Sequence, residues 1–146
     1  MEEKIIAMLK EKGCKITPQR RAIIRTLVQL PKSPTAYDIH AGIRRLYPEI
    51  GLDTVYRNLH LLSAMGVVIP ISLPGKDTKV FELASGVHHH HLICLGCGVI
   101  QCFPHCPVNE AQLQENAGPD FSIVGHSLEL YGYCSGCRHL QDTAKG

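Results

Sequence analysis

A chain of 146 residues is long enough for one domain of ordinary size or two small ones. With 45% hydrophobic and 19% charged residues it reads as a soluble globular protein, and no apolar run approaches the roughly 18 residues that span a membrane. The net charge of +2 hides an asymmetry: residues 1–83 carry 13 Lys+Arg against 8 Asp+Glu, and residues 84–146 carry 2 against 5.

The start, MEEKIIAMLKEKG, is charged and amphipathic and lacks the apolar core of a signal peptide, so the expected compartment is the cytoplasm. Ile5, Ile6 and Leu9 stand at helical spacing over residues 2–12, and Gly13 ends that helix. In KITPQRRAIIRTLVQL, Thr17 suits an N-cap and Pro18 the first helical position, with Ala22, Ile23, Leu27 and Leu30 as the apolar stripe. In SPTAYDIHAGIRRLYP, Thr35 caps and Asp38 stands three residues on, as in a capping box. GLDTVYRNLHLLSAMG predicts a fourth helix over 53–65: Asp53 caps, Val55, Leu59, Leu62 and Met65 face inward, and Gly66 stops it. VVIPISL and KVFEL then read as two strands around the turn signal PGKD.

Helices followed by a two-stranded ribbon describe a winged helix-turn-helix, with helix 53–65 in the DNA major groove and the hairpin as the wing. A helical bundle with a hairpin and no nucleic acid fits the pattern equally; the basic charge of this half favours DNA. The fold class expected is α+β, with a winged helix-turn-helix domain over 1–83 and a small α/β domain over 84–146, joined by the hinge ELASG.

The second part changes character, holding six of the seven cysteines and seven of the nine histidines. HHHHLICLGCGVIQCF predicts strand, turn and strand; PVNEAQLQENAG a short helix with Val108, Ala111 and Leu113 as its apolar positions; FSIVGHSLELYGYC a strand; SGCRHLQDTAKG a frayed tail. Cys94-x-x-Cys97 and Cys134-x-x-Cys137 let four thiolates converge on one cation, a closed tetrahedral zinc site with no open position for chemistry. A redox dithiol is the other reading of a lone pair. On a strand His89 and His91 share one face and His88 and His90 the other, so the run can serve two donor sets back to back. A solvated polar strand is the alternative.

In combination, TPQR (17–20), EIGLDTVYRNL (49–59), VFEL (80–83), HHHHLICLGCG (88–98) and HSLELYGYC (126–134) resemble the ferric uptake regulator family of bacterial metal-dependent transcription factors over about residues 14–137. The resemblance implies a homodimer with an N-terminal winged helix and a C-terminal α/β dimerisation domain. It implies a repressor of metal homeostasis acting on a pseudo-palindromic double-stranded DNA operator, with no membrane partner.

Residue by residue, it implies DNA contacts from Lys15, Arg20, Thr54, Tyr56 and Arg57, of which Lys15 matches a minor-groove position and Tyr56 and Arg57 the base-reading ones. Cys94, Cys97, Cys134 and Cys137 match structural zinc ligands. Glu82, His89 and His91 match a sensory site, with Cys102 where a carboxylate is usual, and His88, His90 and His126 match a second site.

The chain also departs from the family pattern. Ser33 stands where relatives often have a histidine, and Asn109 where they have a carboxylate, although Glu110 is adjacent. A thiolate from Cys102 is softer and favours Zn(II) over Fe(II) or Mn(II), so the expected cofactors are a structural Zn(II) and a regulatory Zn(II) or Fe(II), with Mn(II) admissible. An iron-responsive regulator with altered ligands remains open. Peroxide sensing in relatives uses Fe(II) with an aspartate at the Cys102 position, which argues against that role here. His105 and Cys106 could join the sensor, and Cys106-Pro107 could bind haem. A zinc hydrolase would need an open coordination position and a general base, which Glu82 beside His89 and His91 could supply, but no nucleophile or pocket signature accompanies them and no catalytic residue is expected. A reversible Cys102–Cys106 pair would make a redox switch instead.

Overall fold

The computed structural model describes residues 1–31 and 33–144. The chain forms two compact units that part between Ser85 and Gly86, two residues beyond the expected change of character at 83.

The first unit is built from α1 (Glu2–Glu11), α2 (Pro18–Gln29), α3 (Ala36–Ile43), α4 (Leu52–Ala64) and the antiparallel hairpin β1 (Val68–Ser72) with β2 (Lys79–Leu83). Its boundaries follow from local chemistry. Thr17 accepts from the Arg20 N–H, with Pro18 at the first helical position. Thr35 and Asp38 form the full reciprocal capping box. After α1 and α4 the chain turns at Gly13 (φ +77) and Gly66 (φ +72). In each case the next residue's N–H reaches back, Cys14 to the Leu9 carbonyl and Val67 to the Leu62 carbonyl, which closes a Schellman motif that only glycine enters without strain.

The expected cap on α4 needs correction. The helix starts at Leu52 with Gly51 at the N-cap and no side-chain cap, so Asp53 lies inside the first turn, where it pairs with Arg57 at 3.1 Å. A carboxylate there still suits the positive end of the helix dipole. The Asp53 carboxylate already occupies the space beside Gly51 that a side chain at that position would need.

Ile6, Leu9, Ile23, Ile24, Ile39, Ile43, Val55, Leu59 and Leu62 are almost fully buried in one core that continues under the hairpin through Val67, Val68 and Phe81. Each such side chain contributes about 1.5–3 kcal/mol by leaving water. Leu30 and Met65 pack only partly against it, because both lie past the last full turns of their helices. The wing is fastened to the helices by the Phe81 N–H on the Pro34 carbonyl and by a single bridge from Val80 to Thr35. This is the winged helix-turn-helix that the sequence predicts.

The second unit has β3 (His90–Cys94), β4 (Ile100–Phe103), α5 (Glu110–Ala117), β5 (Glu129–Gly132) and α6 (His139–Ala144). β3 is central, antiparallel to β4 and parallel to β5.

Three expectations are corrected here. Only Glu129–Gly132 of the stretch 121–134 is strand. Upstream, the Gln114 side chain accepts from the Ile123 N–H and donates to the Phe121 carbonyl, so a polar side chain takes the groups a ladder would use. The tail is not frayed through residue 144: the turn that closes Cys137 N–H on the Cys134 carbonyl runs on into α6. The apolar positions expected on α5 do not face a core, since the helix has no buried residue and Leu113 is 43% exposed. Asn109 caps it by accepting from the Gln112 N–H. Among the described residues no helix is long and apolar enough to cross a membrane.

Candidate DNA-binding surface and metal centres

α4 rests on the core through Val55, Leu59 and Leu62 and turns its other face outward. That face carries Tyr56, which is 41% exposed, and Arg57, whose guanidinium is oriented by Asp53 at 3.1 Å. The pair is solvent-exposed and weakly held, so Arg57 can exchange the carboxylate for another acceptor at little cost. A cavity of about 420 Å³ runs between this helix and the wing, lined by Tyr56, His60, Pro70, Lys79 and Phe81 among others.

Lys15 is exposed in the loop between α1 and α2. Arg20 is differently placed from the other candidate DNA contacts. Its Nε donates to Asn58 Oδ1 at 2.9 Å, and its Nη1 donates to the Lys15 carbonyl. Asn58 is buried and spends its amide on the Thr54 carbonyl. Arg20 therefore fastens the loop that carries Lys15 to the helix that carries Thr54, Tyr56 and Arg57. Sequence reasoning passed over Asn58, whose signal was a polar residue on the inward face of an amphipathic helix.

The four cysteines of the two CxxC pairs converge, with all four sulfurs within 4.8 Å of one another. The parallel pairing of β5 with β3 sets Cys94 opposite Gly132 and so brings the second pair beside the first. Cys97 Sγ lies 3.7 Å from Cys134 Sγ, and the Cys134 N–H donates to Cys94 Sγ at 3.3 Å. Sulfurs at about 2.3 Å from a tetrahedral zinc stand about 3.8 Å apart, so the spacing fits that ion. The Cys134 and Cys97 N–H groups hold the Cys94 thiol down to about 6, whereas a hydrogen bond with Cys134 and burial push Cys137 up to about 12. The first CxxC turn depends on Gly96: a Cβ there would meet Cys137 Cβ and Sγ at 2.8 Å, so the two turns approach more closely than any side chain allows.

The histidine run divides into two ring pairs. His88 and His90 have centroids 4.6 Å apart, and His89 and His91 5.0 Å. The strand proper starts at His90, so His88 and His89 precede the ladder. His89 Nδ1 is hydrogen-bonded to the Val87 carbonyl at 2.8 Å. His91 is buried and stands opposite Cys102 in the β3–β4 register, on the same face of the sheet. The Cys102 thiol nevertheless belongs to none of the close donor clusters among the described residues. Glu82 lies on β2 in the first unit, half-buried and opposite Ile69. Ser33 is in the left-handed region at φ +63.

On the other side His88, His90 and His126 come together, and Cys106 joins them. His88 Nε2 is 3.1 Å from His90 Nε2, and His126 packs against both rings. Burial, then the neighbouring His88 and His126, lowers the His90 pKa and so favours the neutral imidazole, the form that binds metal. Cys106 Sγ lies 3.2 Å from His126 Nε2, and Glu110 accepts from His126 Nδ1 at 3.1 Å. The sequence offered Cys106 to the sensor, but the structure sets it in the other cluster, a pairing no spacing rule gives: twenty residues separate it from His126, and neither lies in a strand or helix. His105 instead packs its ring near Phe103.

Comparison with known proteins places these features in a group. The profile of the ferric uptake regulator family matches residues 11–131. The chain is 34% identical over 136 residues to the peroxide-responsive repressor PerR of Staphylococcus aureus strain USA300, covering 93% of this chain and 90% of the relative. Its structure is similar to the ferric uptake regulator of Vibrio cholerae, with TM-score 0.65 and 35% identity over 86% of this chain and 96% of that one. It is similar also to the Pseudomonas aeruginosa ferric uptake regulator with manganese, with TM-score 0.71 and 28% identity over 88% and 96% of the two chains.

Proposed function

The chain belongs to the ferric uptake regulator family, metal-dependent transcriptional regulators rather than enzymes, and on that premise we propose that it is a homodimeric repressor gated by zinc. α4 would enter the major groove with Tyr56 and Arg57 at base edges, Thr54 beside them and Lys15 toward the adjacent minor groove. Arg has the fork that matches guanine, and an aromatic ring suits the thymine methyl. Two copies would read the halves of a pseudo-palindrome, with Leu113, Phe121, Val124, Leu130 and Tyr131, all exposed on the C-terminal unit, as the apolar surface that pairing would cover.

Cys94, Cys97, Cys134 and Cys137 would hold the structural zinc. Glu82, His89 and His91, with Cys102, would form the sensory set, and His88, His90 and His126 the second site. Zinc held by that sensory set would supply a rigid link between its donors. Glu82 ends the wing, so sharing an ion with His89 and His91 would fix the angle between the two winged helices of a dimer. Only one such angle matches successive major grooves. The gate works through differential affinity for that one arrangement.

The observation that carries zinc as the signal is Cys102 opposite His91 across the ladder, a soft donor on the face that His91 presents. A second reading has its own support. Among the described residues Cys102 stands outside the close donor clusters, and Glu82 with two imidazoles alone would be an oxygen and nitrogen set suited to Fe(II) or Mn(II).

Fluorescence anisotropy on a family-type palindrome at fixed salt tests this, using protein that holds one structural zinc per chain. Switching by buffered free Zn(II), and its loss in Cys102→Ser, is the expected result. Switching by Fe(II) or Mn(II), unchanged in Cys102→Ser, would replace zinc with an iron-type or manganese-type signal. Operator binding unaffected by stripping every metal but the structural zinc would end the gated model.

A further inference from the structure

The segment 104–128 is long, and among its described residues none is buried. α5 contributes no buried side chain, and no strand runs between Phe103 and Glu129. What fixes this arm is polar: Gln114 on the Phe121 and Ile123 backbone, Glu110 on His126, and Cys106 on His126. The last two ties converge on the face of β3 that carries buried His90.

The donor geometry there is specific. The Nδ1–H of His126 is given to Glu110, which fixes the tautomer and turns the Nε2 lone pair inward toward Cys106. A tetrahedral zinc with nitrogens near 2.0–2.1 Å and sulfur near 2.3 Å has donor atoms about 3.3–3.6 Å apart. His88 Nε2 to His90 Nε2 at 3.1 Å and Cys106 Sγ to His126 Nε2 at 3.2 Å are slightly inside those edges, and all four donor atoms lie within 4.8 Å.

We infer that Cys106 is the fourth donor of a closed zinc site with His88, His90 and His126, backed by Glu110, and that loading it fastens the 104–128 arm to β3. This rests on reading His88, His90 and His126 as a metal site. Three imidazoles and one thiolate form a complete tetrahedral set without an open position, so the site holds metal rather than doing chemistry with it. A thiolate also biases it toward Zn(II) and away from Mn(II). Asn109 caps α5, and Glu110, the first residue of that helix, reaches His126.

The full chain with zinc confined to the four-cysteine cluster is titrated with Co(II), a spectroscopic stand-in for zinc. The wild type is expected to show a sulfur-to-cobalt charge-transfer band with tetrahedral visible absorption. Cys106→Ser should lose that band while still taking up cobalt, and should bind Zn(II) about ten-fold or more weakly in chelator competition. Glu110→Gln should keep the band and lose affinity by about the same factor. Hydrogen exchange across 104–128 should slow on Zn(II) addition in the wild type and not in Cys106→Ser.

A spectrum unchanged by Cys106→Ser, or a band lost in Cys102→Ser instead, overturns the assignment. His126→Ala separates the layers. If it removes one equivalent of cobalt while Cys106→Ser changes nothing, the site stands and only the role of Cys106 falls. If it too changes nothing, the metal site itself is wrong.

Discussion

The two units of this chain are held together by different chemistry. From Met1 to Ser85 the interior is hydrocarbon: mostly isoleucines, leucines and valines from four helices and both wing strands, with Asn58 the one buried polar residue described. From Gly86 on, the buried residues among those described are His90, His91, Ile93 and Cys94. Three of those four, His90, His91 and Cys94, carry side-chain atoms of the kind that can bind metal. A sheet of three short strands with so little apolar burial is marginal by itself, and small domains of this kind close the gap with a structural metal. Metal content is therefore expected to govern folding of the C-terminal unit and not of the N-terminal one.

The largest effect should come from cutting that dependence. Cys134→Ser, or removal of the structural zinc by a strong chelator, should unfold the C-terminal unit, since binding of this kind contributes on the order of 10 kcal/mol in small zinc domains. Hydrogen exchange should show β3, β4 and β5 amides losing protection while α2 and α4 keep theirs. Equal loss in both units would mean that the hydrocarbon core is not self-sufficient and the division is false.

The reciprocal cut is smaller. Leu62→Ala removes a side chain with no exposure from the first core and should cost that unit about 2–5 kcal/mol. Differential scanning calorimetry should show the N-terminal transition falling alone, with cobalt spectra of the C-terminal sites unchanged.

The same contrast explains what could be read from the sequence. Helix patterns, the caps Thr17 and Thr35 and the stops Gly13 and Gly66 are all local signals, and each is found where the spacing placed it. Asp53 misled because it is an equally good cap and first-turn residue, and Gly51 won. In the second unit periodicity assumes a core that the unit does not have. The apolar positions of α5 and the alternation of 121–128 had nothing to pack on, and Gln114 took the backbone instead. The CxxC pairs were legible because a turn brings both thiols together regardless of the fold. Cys106 was not, because an irregular arm brings it to His126.

On DNA the division becomes a difference between two kinds of arginine. Arg57→Ala should weaken operator binding by about 1–3 kcal/mol and relax base preference at one position of each half-site. Lys15→Ala should weaken all sequences alike and flatten the salt dependence. Arg20→Ala should act through position: it frees the buried Asn58 and releases the Lys15 loop, so affinity and unit stability should fall together, whereas Arg57→Ala leaves the melting temperature in place. Arg20→Ala with full stability and lost affinity would make it a direct contact instead.

The smallest effect is the most local. Thr35→Ala opens the capping box at the start of α3 and should cost the N-terminal unit about 1 kcal/mol. That is about 4–8 °C in a domain of this size. The Thr35 hydroxyl and N–H hold the Asp38 carboxyl below its ordinary value of 3.8. A carboxylate with a depressed folded value stabilises the fold above the ordinary range and loses that contribution as pH falls through the lower one. The wild-type N-terminal unit should therefore lose stability steeply in that acid window, and Thr35→Ala should lose less there, since its cap is already gone. Acid melts of the two proteins should converge as pH falls. If they stay parallel into strong acid, the hydrogen bonds at Asp38 are not what stabilises the start of α3, and the hydrocarbon beneath it carries that helix unaided.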